Sequence, residues 1–377
     1  MSAAGRSALR REGRLALDLL PPRLADRLSE LAQRVRPAPA SQAAVASAEP
    51  AGRAGRAEPG ALATRPSRAG AGRAGRLRRA NVLMYHRVAA DAGDPYALCV
   101  TPERFGEQLG VLTSVADVVP LADVQRTASR GRGRPRVALT FDDGYADNLL
   151  AALPIAERFG TPFTVYVTSR MLGATDGFWW DRLARAVLRP GAEAVVAELP
   201  GGPYPFVTGT DGPARAALSE LRRRLLPLQV DEIEVVVAKL CSGNCDVGAA
   251  GPRLLTGDEL CVLAAHPLVT IGAHTTDHAM LAARPPSAQL ETIATSKTDL
   301  EVALGVPVRH FAYPFGHRAS FDGRTVDAVR RAGFATACTT LGGCVTPWSA
   351  PLCLPRRMVL DWGGAAFAAA LGSWGIG

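Results

Sequence analysis

Asp142 and Asp143 stand side by side in Thr140-Phe-Asp-Asp-Gly-Tyr145, at the end of the apolar run 137–140. His274 and His278 stand four positions apart in His274-Thr-Thr-Asp-His278, again directly after an apolar run, 269–273. Two His and one Asp make a three-ligand set with a position left open for water, which is what a catalytic Zn²⁺ needs. The second Asp is then free to act as the base on that water.

The elements that carry these residues must end where the chemistry begins. Successive side chains of an extended strand point to opposite faces, so two adjacent carboxylates share one cavity only across a turn, and Gly144 supplies one. Each motif has a plainer reading. Asp-Asp-Gly is a common surface turn, and two His at i, i+4 share one face of any helix. Both motifs following strand-like runs makes those readings inadequate together. A third segment, Arg309-His-Phe-Ala-Tyr-Pro-Phe-Gly316, is also a short apolar run that breaks into a Pro/Gly turn. Three strand ends followed by turns point to βα repeats whose loops gather on one face. Helices expected at 146–159, 287–304 and 324–332 alternate with these strands, as βα units require.

With these segments on the page, the chain resembles the metal-dependent polysaccharide deacetylases, carbohydrate esterase family four, over about 81–371 with an interruption. The resemblance implies an α/β fold, a distorted (β/α) barrel with fewer than eight strands, and removal of an N-acetyl, sometimes O-acetyl, group from a sugar. It implies that Asp142 is the catalytic base and that Asp143, His274 and His278 hold the metal. It places an oxyanion donor at the backbone N–H of Phe315. Zn²⁺ is the expected ion, although a His₂Asp set also accepts other divalent transition metals such as Co²⁺, Ni²⁺ or Mn²⁺.

Two departures from the family pattern stand out. Many members protonate the leaving amine with a His late in the chain, and no His follows His317. Leu83-Met-Tyr-His-Arg-Val88 resembles the opening strand of a subgroup whose His faces the site, which makes His86 the expected acid. Its alternative is a strand-capping His held by a backbone partner. Many members also brace the base with an Arg where this chain has Ala312. Arg356 and Arg357 follow another apolar run and are the candidates to reach in, Arg356 as the brace for Asp142; the alternative is a pair of solvated surface arginines.

The formal charge of +8 belongs to one end of the chain. Residues 1–80 hold 16 Arg against 6 acidic residues, so the remainder is near neutral. Leucines in 6–36 are interrupted by Pro21 and Pro22, so short amphipathic helices are expected. Residues 37–80 are Ala, Gly, Pro and Arg with a repeated Ala-Gly-Arg-Ala-Gly-Arg, and are expected to be disordered. Such a leader is either a basic arm for nucleic acid, anionic lipid or polyanionic sugar, or an unspecific tail; no specific nucleic-acid partner is assigned. It lacks the clean apolar core of a secretion signal, and no run is long enough for a membrane span, so the expected location is cytoplasmic. Seven Cys in a chain of 377 residues do not form a disulfide framework. Cys241 and Cys245 form the one close pair, without the further ligands a second zinc site requires.

Residues 169–252 interrupt the barrel. They open with Gly177-Phe-Trp-Trp-Asp-Arg182 and continue into helix-like stretches at 213–228 and 230–240. A helical cap that shapes access is expected. Trp179, Trp180 and Asp181, with Tyr145 and Tyr313, are the candidate substrate-binding residues, since aromatic faces stack on sugars and Asp binds hydroxyls; equally, Trp packs cores. The expected function is a metal-dependent N-deacetylase acting on an acetylated sugar or glycan. The alternatives are an O-acetyl esterase or a non-sugar amide hydrolase on the same site, or a non-catalytic carbohydrate-binding protein. The last has no need of both a base and a metal triad.

Overall fold

A computed structural model describes residues 80–376, apart from 91–93, 126–132, 192, 211 and 243–250. The expectations for the leader therefore lie outside the described residues, as does Cys245. The core is a parallel sheet of Ala80–Tyr85 (β1), Asp117–Val118 (β2), Arg136–Phe141 (β3), Phe163–Val167 (β4), Val269–Ala273 (β5), His310–Ala312 (β6), Thr336–Cys338 (β7) and Arg357–Met358 (β8). Its order is β7-β6-β5-β4-β3-β1-β8, with β2 paired to the free end of β3. Seven strands form the curved path, so the barrel has fewer than eight. A lone parallel bridge, Cys338 to Leu354, links β7 to the segment leading into β8. All six residues of β1 and all five of β4 are buried, as expected of parallel strands covered on both faces.

Helices pack outside this sheet, and local chemistry sets their ends. Thr101 caps Pro102–Val115, with Pro at its first position; Asp322 accepts from the Arg324 and Thr325 amides at the start of Gly323–Arg331. Pro286–Leu304 stops at Gly305 in the left-handed conformation. The helix expected at 146–159 opens with a wide turn, Asn148–Ala152, before tightening into Leu153–Phe159.

Between β4 and β5 the chain leaves the barrel. It forms helices Trp179–Val187, Gly212–Leu225 and Val230–Cys241, and an antiparallel hairpin of Ala194–Leu199 with Gly202–Val207. The sequence reading has helices here and no hairpin. The hairpin's outward residues include half-exposed Val196 and Val207, so polar–apolar alternation is blurred. These elements have their own core, in which Leu183, Val187, Phe206, Leu221 and Val237 meet the rim residues Tyr145 and Phe178.

Gly272 in β5 marks the tightest packing beneath the site. A Cβ there would sit 2.5 Å from the Tyr166 ring and 2.9 Å from the His310 carbonyl oxygen. Gly272→Ala is expected to cost about 1–3 kcal/mol by overpacking, read as a lower midpoint in thermal or urea unfolding. An unchanged midpoint would mean that β5 has slack this packing denies.

Candidate active site

The two carboxylates reach one cavity because the strand end turns sharply. Gly144 has φ +85°, and Asp143 itself has φ +77°. Of the five non-glycine residues with positive φ among the described residues, four belong to this site: Asp143, Thr275, His278 and Phe315. Each costs of order 1–3 kcal/mol and persists only when its surroundings enforce it. Thr275 and His278 show that 274–278 is a series of turns rather than a helix face. The two imidazoles converge because the chain coils there; the Thr275 hydroxyl accepts from the His278 amide at 3.0 Å.

The ligand atoms of Asp143, His274 and His278 all lie within 4.8 Å of one another, and all three residues are buried. The His278 and His274 Nε2 atoms are 3.3 and 3.6 Å from Asp143 Oδ1. His274 Nδ1 is 2.8 Å from the Ala312 carbonyl oxygen. A proton on Nδ1 donates there and leaves the Nε2 lone pair turned toward Asp143, the orientation that metal-binding His residues take from their outer partners. Burial, opposed by the neighbouring carboxylates, brings the His274 pKa down to about 4, so its ring is neutral at pH 7. His278 Nδ1 is buried without a hydrogen-bond partner among the described residues. One carboxylate with two imidazoles suits Zn²⁺ or a similar divalent ion, so the donor set fits the metal. Replacing His274 by Ala is expected to take bound zinc from one ion per chain to well below one, measured by elemental analysis after dialysis at equal folded content.

Asp142 is held apart from this set by Arg356. The guanidinium donates to both carboxylate oxygens, at 2.6 and 2.7 Å, and both side chains are buried. Arg356 also donates to the Thr339 carbonyl oxygen at 3.0 Å and packs over the Tyr166 ring. Burial would raise the Asp142 pKa, but Arg356, followed by His274, outweighs it and holds the carboxyl well below the usual range. Small neighbours, Ala138, Ala312 and Cys338, share the inner cluster with Tyr166 and leave room for this side chain. Arg357 points the other way: it donates to Asn81 Oδ1 and lies over Trp374.

His86 lines the same cavity as the two carboxylates. Its carbonyl and the two residues after it are anchored by Asp147 and Asn148. Asn148 Nδ2 donates to the His86 carbonyl oxygen at 2.9 Å, while Asp147 receives Arg87 Nε and the Val88 amide. Phe315 lines the cavity too, and its amide has no partner among the described residues.

The proposed sugar contacts divide. Trp180 reaches the cavity, stacked on Phe178 with ring centroids 4.3 Å apart and its ring 4.6 Å from His278. Trp179 does not; it is buried in the insertion's core. Tyr145 is fully buried and donates to Asp181 Oδ2 at 3.0 Å. Asp181 also accepts from the Phe178 amide, and burial pushes its pKa up to about 7. Tyr313 is buried against Phe321 and donates to the Leu352 carbonyl oxygen. These three polar groups spend their hydrogen bonds inside the protein, which is why they are not free to meet a sugar. The cavity wall instead includes Tyr96, His317, Arg215 and Arg222. Only His317, beside the third motif, carried a signal in sequence.

The model of the polysaccharide deacetylase family matches residues 129–194 and 254–337, breaking off across the hairpin and the two following helices. No curated protein matches the chain. Among solved structures, IcaB from Ammonifex degensii superposes with a TM-score of 0.51 at 18% identity, over 80% of this chain and 98% of that one. BC0361, a polysaccharide deacetylase from Bacillus cereus, gives 0.50 at 18% identity, over 78% and 69%. At that identity the likeness is one of fold. The two motif-bearing halves of the barrel, matched on either side of the insertion, are thus similar to the polysaccharide deacetylase family.

Proposed function

We propose that this chain is a metal-dependent carbohydrate N-deacetylase. The observation that carries the reading is the pairing of a buried Asp143–His274–His278 ligand set with a separate, ionised Asp142 in one cavity of about 620 Å³, large enough for one or two sugar rings. Asp143, His274 and His278 would hold the ion. When bound, the ion supplies Lewis acidity, polarising a water and the acyl oxygen. Asp142 takes a proton from the water as its oxygen bonds to the acetamide carbon. The Phe315 amide donates to the oxygen that gains negative charge. His86 gives a proton to the nitrogen as the C–N bond breaks, so acetate and a free amine leave. Arg356 keeps Asp142 ionised and aimed while this happens.

The test is acetate release from N-acetylglucosamine oligomers, N-acetylated monosaccharide conjugates and O-acetylated xylan. Metal-stripped and Zn²⁺-restored proteins are compared. Release from N-acetyl substrates that vanishes on stripping and returns with Zn²⁺ is the expected result. Release from O-acetyl substrates alone would make the protein an esterase. Release that survives stripping would sink the metal-dependent reading.

A further inference from the structure

The cavity has a second charged wall that the deacetylation chemistry does not use. It comes from the helix Gly212–Leu225, which turns Arg215, Leu218, Ser219 and Arg222 toward the cavity. Their i, i+3, i+4, i+7 spacing is one helical face. The same helix carries two more arginines, Arg223 and Arg224, and both are paired with Glu220 on its outer side. The inward pair is treated differently. Among the described residues, neither Arg215 nor Arg222 has a carboxylate partner; Arg215 donates only to the Thr210 carbonyl oxygen. Arg222 lies over two aromatic rings, 5.4 Å from the Tyr96 centroid and 6.0 Å from that of Phe315. Stacking fixes the plane of a guanidinium and leaves its N–H edge available to a bidentate acceptor.

Position and charge balance point the same way. The Phe315 ring touches both Arg222 and His278, the latter at 4.7 Å between centroids, so Arg222 stands one ring away from the metal ligands. The cavity's own carboxylates are committed: Asp142 to Arg356, and Asp143 to the two His residues. Two cations without a carboxylate partner among the described residues, on one wall of the cavity, raise the local concentration of anions. Neutral sugars offer such a wall only single hydroxyl and acetamide oxygens, whereas an anionic group offers the charged oxygen pair that a guanidinium fork matches.

Resting on the deacetylase reading above, we infer that the substrate carries an anionic group, phosphate or carboxylate, on the acetylated sugar or its immediate neighbour, and that Arg222, assisted by Arg215, receives it. Ser219 lies between the two arginines on the same face. The insertion thereby sets which sugars enter, while the barrel sets what is done to them.

The test compares kcat/KM of the metal-loaded full chain on four acetylated probes. These are N-acetylglucosamine, its β-1,4 dimer, N-acetylglucosamine 1-phosphate, and a disaccharide with glucuronate next to N-acetylglucosamine. Arg222→Met removes the bidentate pairing of guanidinium with anion, and is expected to lower kcat/KM on the anionic probes by about ten- to a hundredfold. The neutral probes should stay within about twofold, because Met keeps the length and apolar bulk of the stem. Arg222→Lys should restore part of the preference, and added salt should erode it. The phosphate and carboxylate arms tell the two anions apart. Equal use of neutral and anionic probes by the wild type, or an equal loss on both in Arg222→Met, would overturn the inference and leave Arg222 as packing. If no probe releases acetate, the deacetylase reading is what fails. The anion site is then judged by calorimetry with glucosamine 1-phosphate against glucosamine, neither of which can turn over. Tighter binding of the phosphate that disappears in Arg222→Met upholds the site; equal or absent binding removes it.

Discussion

Arg356→Met is expected to lower stability by about 3–5 kcal/mol, because it leaves Asp142 buried without its counter-charge. The sign of its pH dependence follows from the direction of the shift. In the wild type the Asp142 pKa is depressed, so the pair stabilises the fold fully above the usual carboxylate range and loses that contribution as pH falls through the depressed value. Without Arg356 burial dominates and the pKa moves up, so the variant gains stability as it takes up a proton on acidification. The gap between the two proteins should be widest near pH 7 and narrow below about pH 4. Urea unfolding at several pH values measures this. A gap that is constant with pH would mean the loss comes from packing around Tyr166 rather than from charge.

Asp142→Asn should be the more damaging change to activity, with kcat down by about 10²–10⁴-fold, the usual worth of a positioned general base. It also leaves Arg356 buried and unpaired, so a fall in activity alone could reflect a softened site. The double variant Asp142→Asn/Arg356→Met separates the two effects. Removing both charges of a buried pair costs far less than removing one, so the double variant should recover most of the stability lost in either single variant. Its activity should stay as low as that of Asp142→Asn. Recovery of activity along with stability would show that Asp142 serves the fold and not the water.

The depressed pKa carries its own chemical meaning. A carboxylate held this firmly in its ionised form is a weak base in solution terms. What Arg356 contributes is a fixed charge and a fixed direction, with lone pairs on both oxygens still open to accept. In the proposed mechanism the acidity that lets a proton move comes from the water's side of the reaction, in keeping with a candidate ligand set for a Lewis acid beside it.

Much of this was legible from the chain because strand ends and turns write themselves locally. Each motif follows a run that is buried on both faces, and the order of those runs is the order of the sheet's central strands. Ala312 told that a family arginine was missing, and the two arginines after an apolar run were the natural replacements. Strand alternation then decided between them, sending Arg356 inward and Arg357 out. The substrate side was less legible, for a physical reason. Tyr145, Tyr313 and Asp181 look like sugar-binding groups by type, yet each is consumed by a partner that only the fold brings near. Arg222 looks like one more surface charge in Arg222-Arg-Arg224, and only the helix's rotation tells it from its neighbours. The left-handed backbone of Asp143, His278 and Phe315 is imposed by tertiary packing against local preference, so no propensity could announce it.

The segment through Leu354 also brings to the site its last member in chain order. Asp142 and Arg356 are separated by 214 positions, and the segment that bears Arg356 joins the sheet between β7 and β1, elements from opposite ends of the fold. In chain order Asp143, His274 and His278 all precede Arg356, the counter-ion of Asp142, by a wide margin. The Ala312 carbonyl that orients His274 and then Arg356 still have to arrive, so the cluster and the carboxylate beside it are complete only when the last strand joins the sheet. The arrangement of the site is in this way a property of the whole fold and not of its first half.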